Sequence, residues 1–318
     1  MIKDKISYFW NWLGDEPQQR LGIRVLQIVF GLVFLFRTFT ELPFASYLYG
    51  AKGIGDNFQY ELAYGNFIGK YFTSFFQWEF GIHLVLLTLA MCGICLIFGY
   101  KTRIITFVSL ITFNLIAARN IEIGDGGDNI TQLILIYMLL LIPFNQEYEK
   151  GSFRVWLHNL GVVAIAAQIM TLYFTAGFMK INGEVWTGGV ALFNVSQVET
   201  FSLPVIREVF KNPYLTTISA YMTMIFLIWF PLAMFSRLKL VWISIGISFH
   251  LGILGFMGLV TFASTMIGLE LFFITDNEYQ KIVNFVKDII KVKPIHNFWI
   301  TITSKLKPTT AIVTREQV

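Results

Sequence analysis

The sequence predicts an all-α, polytopic membrane helix bundle of about eight transmembrane helices. Three observations predict it. The 318 residues are 55% hydrophobic and only 14% charged, against roughly 25% charged in an average soluble domain. The mean hydropathy is +0.62. Apolar runs close to the roughly 20 residues that cross a bilayer core recur along the chain. So few charges cannot solvate the surface of a soluble enzyme, and the composition equally excludes a disordered chain and a nucleic-acid binder. Two cysteines, Cys92 and Cys95, are too few for a disulfide scaffold.

The elements follow in order. A cytoplasmic N-terminal segment, 1–20, carries the aromatic run Tyr8 to Leu13, suited to a membrane interface. The transmembrane domain, 21–275, begins with a span near Leu21–Thr40, read as an uncleaved signal anchor because no small-residue cleavage site follows it. Further spans are expected near Gly81–Phe98, Ile104–Ala118, Ile130–Phe144, Leu157–Phe178 and Thr216–Phe235. The last apolar stretch runs from Leu238 to Phe273, and as one helix it would reach roughly 54 Å, nearly twice the membrane. It is better read as two spans turning near Gly255–Gly258, which makes eight; seven is the alternative. A basic amphipathic cytoplasmic tail, 276–318, with Lys287, Lys291 and Lys293 among Ile, Val, Phe and Trp, suits a helix on an anionic leaflet.

Orientation follows from charge. With eight spans, Lys and Arg number 17 on the side of the termini and 6 on the other, Arg37 being left out as intramembrane. The positive-inside rule then puts both termini in the cytoplasm of a cell membrane. Acids such as Asp56, Glu61, Glu79, Glu122, Asp125, Asp128 and Glu184 fall outside.

An ionisable group at membrane depth is a functional hypothesis, because leaving it unpaired costs about 3 kcal/mol or more. Arg37 and Glu41 are spaced i,i+4 and can pair on one helix face. Arg24, near the cytoplasmic end, reads as a snorkelling cation, and Glu270 as an interfacial acid. Cys92-Gly93-Ile94-Cys95 has the spacing of a redox pair, which opens a quinone-linked thiol oxidoreductase, with a thiol–disulfide oxidoreductase as partner. The same cysteines serve equally as small apolar packing residues. The loop Ile121 to Asn129 gathers three glycines and three acids ahead of the fourth span. Asp128 or Asn129 is placed to cap the helix from Ile130; a calcium loop needs more spaced ligands, so no metal is expected. Lys180 ends an otherwise uncharged span and precedes the glycine-rich turn Asn182–Gly189 with Trp186. A desolvated lysine can serve as a base, and a lysine at an interface can equally snorkel. His250 is the histidine set deepest in a span, either a satisfied core residue or a functional one.

The run Tyr173-Phe174-Thr175-Ala176-Gly177-Phe178-Met179-Lys180 with Trp186-Thr187-Gly188 resembles the vitamin K-dependent γ-carboxylase. It is equally similar to the bacterial membrane proteins grouped with that enzyme as horizontally transferred transmembrane (HTTM) domains. Gly99-Tyr100-Lys101-Thr102-Arg103-Ile104, and Phe249-His250 with Phe262, add to the likeness, which covers most of residues 20–275. The resemblance implies that Lys180 is a general base toward a reduced quinone or vitamin K-like cofactor. His250 and Asp128 would then orient groups or stabilise charge, while Tyr173, Trp186, Asn129 and Arg37 would line the substrate site. Where the carboxylase has a histidine before its fourth span, this chain has Gly127-Asp128-Asn129, and only 43 residues follow Thr275. That departure points to a reduced version acting on an exported peptide, like the SdpB-type maturation proteins. The competing class is a non-catalytic membrane assembly partner whose inward polar residues only fix packing.

Overall fold

A computed structural model describes residues 2–50, 80–199 and 202–289, together with 53, 54, 71, 74, 75 and 78. The external acids Asp56, Glu61 and Glu79, and the tail lysines Lys291 and Lys293, lie outside the described residues. Every regular element among the described residues is helical. Those that frame the two units are α1 (Ile2–Asp15), α2 (Arg20–Glu41), α3 (Ala45–Tyr49), α4 (Gly81–Phe98), α5 (Thr102–Arg119) and α6 (Gly126–Met138). They continue as α7 (Phe153–Ile181), α8 (Pro213–Ala233), α9 (Lys239–Met257), α10 (Val260–Phe272) and α11 (Asp276–Ile289). Six helical stretches among the described residues are long and apolar enough to cross a membrane, the first running from Arg20 to Tyr49.

The chain divides into two compact units. One comprises 1–163 with 274–318, the other 164–273, so α7 contributes to both.

In the first unit α2 packs against α4, α4 against α5, and α5 against α6. Phe30, Phe34, Leu86, Leu89, Phe113, Ile116 and Ile134 are fully buried between them. The opposite face of α4 shows Leu84, Leu87, Met91, Ile94 and Phe98. Their helical spacing makes one continuous apolar stripe, the surface a helix presents to lipid. The α2–α4 contact is made by glycines. A Cβ at Gly93 would lie 2.7 Å from the Gly31 carbonyl oxygen, and one at Gly31 would lie 2.6 Å from that of Gly93. Bare backbones therefore touch, the arrangement that small residues permit in membranes. Gly93 is the second residue of the Cys-x-x-Cys run; Cys92 and Cys95 are both free thiols.

Polar caps set the helix ends. Arg24 was expected to snorkel, but it is buried. Its guanidinium donates to the carbonyl oxygens of Leu96, at 2.6 Å, and of Ile97. These are end groups of α4 with no partner inside the helix, and a cation there also meets the negative end of the dipole. The α2 start is capped from far along the chain: Asp276 accepts from the backbone N–H of Leu21 at 2.7 Å and of Arg20 at 3.1 Å. Burial pushes the Asp276 carboxyl up from its usual range, against those two N–H groups and Arg20, which favour its charged form. His158 and Asn159, on α7, tie down the end of α1. His158 Nδ1 accepts from Ile142 N at 2.9 Å, so Nε2 is the nitrogen that donates to Gln18 O, 2.8 Å away. Asn159 donates to the Leu13 and Glu16 carbonyls, both at 2.9 Å.

The helix of the fourth expected span starts and stops early. It runs from Gly126 to Met138 rather than from Ile130 to Phe144. Asp125, and not Asp128 or Asn129, is the N-cap, accepting from Gly127 N at 2.6 Å and Asp128 N at 3.1 Å. Asp128 closes the capping box by accepting from Asp125 N. At the other end the bonds tighten to three-residue turns over Leu139–Leu141, ahead of Pro143, which disfavours helix in the residue before it. At 13 residues α6 is about 20 Å long.

In the second unit α9 and α10 form the expected hairpin. It turns at Gly258, whose φ of +69° L side chains rarely adopt. Asn212 caps α8 by accepting from Tyr214 N and Leu215 N, with Pro213 opening the helix where its missing N–H costs nothing. Tyr173, Phe230, Ala263, Met266, Leu269 and Phe272 fill the interior.

Candidate functional site

The predicted site residues fall into two groups. Arg37, Asp128 and Asn129 belong to the first unit, and Tyr173, Lys180, Trp186 and His250 to the second.

The first group is a closed charge network. Arg37 is 3% exposed. Its Nε lies 2.9 Å from Glu41 Oε1, the i,i+4 pair expected from the sequence, and a terminal nitrogen lies 2.7 Å from Asp128 Oδ1. The guanidinium also sits 5.2 Å from the Phe113 ring centre. Tyr49, itself fully buried, donates its hydroxyl to Glu41 Oε2 at 2.7 Å. Asp128 therefore spends one oxygen on Arg37 and the other on the helix cap, while Asn129 is exposed beside it. Arg119, one of the six cations counted on the side opposite the termini, is 0% exposed. Its Nε donates to Tyr49 O at 2.6 Å and a terminal nitrogen to Gly50 O at 3.1 Å, while Asn120 donates to Leu48 O at 2.8 Å. Together they satisfy the carbonyls that α3 leaves open at its end.

In the second unit, Lys180 is half-buried at the last turn of α7. Its ammonium lies 4.8 Å from the Trp186 ring centre, a cation–π contact worth about 0.5–1 kcal/mol at such a site. Among the described residues no carboxylate pairs with it. The turn that presents Trp186 is built from backbone bonds, Gly183 N to Lys180 O and Trp186 N to Gly183 O, both 3.0 Å. Gly189 closes it with φ +75°, and a Cβ there would lie 2.8 Å from Thr217.

Deeper in the same unit is a constellation the sequence did not announce. Glu270, expected at an interface, is 0% exposed. Its Oε1 accepts the Tyr173 hydroxyl at 2.6 Å and lies 3.0 Å from His250 Nδ1. The same nitrogen is 3.0 Å from the Gly246 carbonyl. The carboxylate fits because residue 246 is glycine; a methyl group there would overlap it. Glu270 Oε2 is buried with no hydrogen-bond partner among the described residues. Aromatic rings close the surroundings: Phe230 stacks on Tyr173 at 4.0 Å, and Phe249 and Phe262 lie edge-on to His250 at 5.2 and 6.0 Å. Tyr173 is thus a buried donor rather than an exposed wall, and no hydrogen bond, ion pair or ring contact among the described residues joins His250 to Lys180. The sequence held one usable signal. Gly246 and His250 are four apart on one helix face, and a hairpin turning at Gly258 carries Glu270 back alongside them.

No group of three or more His, Cys, Asp or Glu among the described residues is arranged to hold a metal ion. Comparison with protein-family models, with curated proteins and with solved structures finds no match to this chain.

Proposed function

We propose that the protein crosses the cell membrane eight times with both termini in the cytoplasm, and that it is an acid–base enzyme. In this reading it is similar to the membrane domain of the vitamin K-dependent γ-carboxylase and acts on an exported peptide, with Lys180 as general base at the outer mouth. The observation that carries it is the setting of Lys180. The amine is half-buried, has an aromatic face on one side and has no carboxylate partner among the described residues. A carboxylate partner would favour the charged ammonium over the neutral amine that a base needs; among the described residues no carboxylate does so here. A reduced quinone would supply an acidic ring hydroxyl, and the Trp186 ring with the Lys180 amine are the groups that would hold it.

The test is Lys180→Arg. A cationic anchor survives that change, whereas a base does not, because arginine keeps its proton at any ordinary pH. Insertion and thermal stability should be unchanged, and maturation of a co-expressed peptide should fall about 100-fold or more. Wild-type maturation by the arginine variant overturns the catalytic assignment.

The second reading, a non-catalytic membrane assembly partner, is favoured by the Arg37 network. Glu41, Asp128, Tyr49 and Arg119 in that network are all occupied by one another or by helix ends, as packing residues would be.

A further inference from the structure

We propose that Glu270 is a positioning residue which makes His250 a second proton-transfer group of the second unit, beside Lys180. This deepens the acid–base reading and rests on it.

Two acceptors face one nitrogen. The Gly246 carbonyl and Glu270 Oε1 each lie 3.0 Å from His250 Nδ1. A carbonyl oxygen cannot donate, so the proton belongs on Nδ1. The imidazole therefore presents Nε2 as its exchange atom, and Nε2 has no hydrogen-bond partner among the described residues. His158 in the first unit shows the contrast, since both of its nitrogens are occupied by backbone groups. A histidine kept only for packing is satisfied at both ends; His250 is held at one.

The holder is a carboxylate. Tyr173 donates to Glu270 Oε1 at 2.6 Å, inside the range of a hydroxyl bound to a charged oxygen. This fixes the carboxyl group against rotation while its other oxygen has no hydrogen-bond partner among the described residues. Burying a carboxyl group so incompletely satisfied costs stability. Packing alone gives no reason to keep it there. When a proton passes from a weakly acidic O–H of an apolar substrate to Nε2, the O–H bond breaks and its electron pair stays on the substrate oxygen. The new N–H bond leaves an imidazolium, whose charge faces Glu270 across the Nδ1–H bond. A carboxylate at that nitrogen both fixes the tautomer and stabilises the imidazolium.

The experiment needs no substrate for its first arm. The protein is labelled with ¹⁵N-histidine, placed in lipid nanodiscs and studied by solid-state NMR, with His250 identified by the signals missing from His250→Asn. The expected wild-type state has the proton on Nδ1, shifted downfield as in a carboxylate-bound imidazole. Glu270→Gln should keep the fold and lose that downfield shift. Tyr173→Phe, which removes only a hydroxyl, should move the Nδ1 signal while leaving the proton on Nδ1. In the second arm, peptide maturation by Glu270→Gln should fall about tenfold or more in maximal rate, with half-saturation unchanged. A proton on Nε2 with Nδ1 bare overturns the proposal, as does a wild-type Nδ1 signal in Glu270→Gln or Tyr173→Phe. Full activity in Lys180→Arg would overturn Lys180 as the base and leave the His250 tautomer intact, so the two failures are told apart.

Discussion

Arg37→Met tests whether the charge network of the first unit is structural, and its size can be worked from the geometry. One guanidinium, 3% exposed, serves Glu41 at 2.9 Å and Asp128 at 2.7 Å. Removing one partner of a buried ion pair costs about 3–5 kcal/mol, because the charge left behind has no compensation. Here two carboxylates are abandoned together, so the upper end applies, about 5 kcal/mol. That is between three and four powers of ten in the folding constant at about 1.4 kcal/mol each. Asp128→Asn removes one charge only and leaves the Arg37–Glu41 pair and the cap geometry, so it should cost about 1–3 kcal/mol. The triple variant Arg37→Met, Glu41→Gln, Asp128→Asn should recover most of the loss, since it removes charge and counter-charge together. The measurement is reversible unfolding in mixed micelles followed by tryptophan fluorescence. An Arg37→Met protein within about 1 kcal/mol of wild type, or a triple variant no better than the single one, would refute the reasoning.

Three further outcomes follow. Gly93→Val should destabilise by about 1–3 kcal/mol, since its side chain would push into the Gly31 carbonyl only 2.7 Å from the Cβ position. The Cys92→Ala, Cys95→Ala double variant should insert, fold and function normally; a folded but inactive double variant would restore the thiol-redox alternative. A reporter fused after Val318 that is active only outside the membrane should stay silent; activity there would reverse the orientation and move Lys180 to the cytoplasmic face.

How far the fold could be read depends on what each boundary obeys. The long apolar runs became helices within a few residues of where hydropathy put them, because length and composition alone decide whether a stretch can cross lipid. The α9–α10 turn was legible for a similar reason, as a mostly apolar stretch of 36 residues exceeds a bilayer and glycine is the residue that breaks it cheaply. The α6 boundaries were not legible from hydropathy. Asp125 caps the helix from inside a loop that already holds two other acids, Glu122 and Asp128. Nothing in apolar periodicity says which carboxylate is the cap.

The site was legible one residue at a time and illegible in its pairings. Arg37–Glu41 could be read because both lie on one helix at a fixed spacing. The third member, Asp128, arrives from α6, 91 residues on, and Arg119 disappears into the end of α3 from a position that looks like a loop. Glu270 is the sharpest case. Counted from a span end it is an ordinary interfacial acid. Yet a residue's depth along the membrane normal says nothing about whether it faces lipid, headgroups or another helix. What turns Glu270 inward is an absent side chain at Gly246 and a hydroxyl on α7. Both must be in place before the carboxylate has anywhere to go. The lysine that family likeness singles out is half-buried and held by one aromatic ring, whereas the histidine is held by the Gly246 carbonyl and by Glu270, which Tyr173 fixes from a third helix. Proton transfer requires a group held in one tautomer and one orientation. By that physical criterion His250 is the better prepared of the two, and Lys180 needs a substrate to complete its setting.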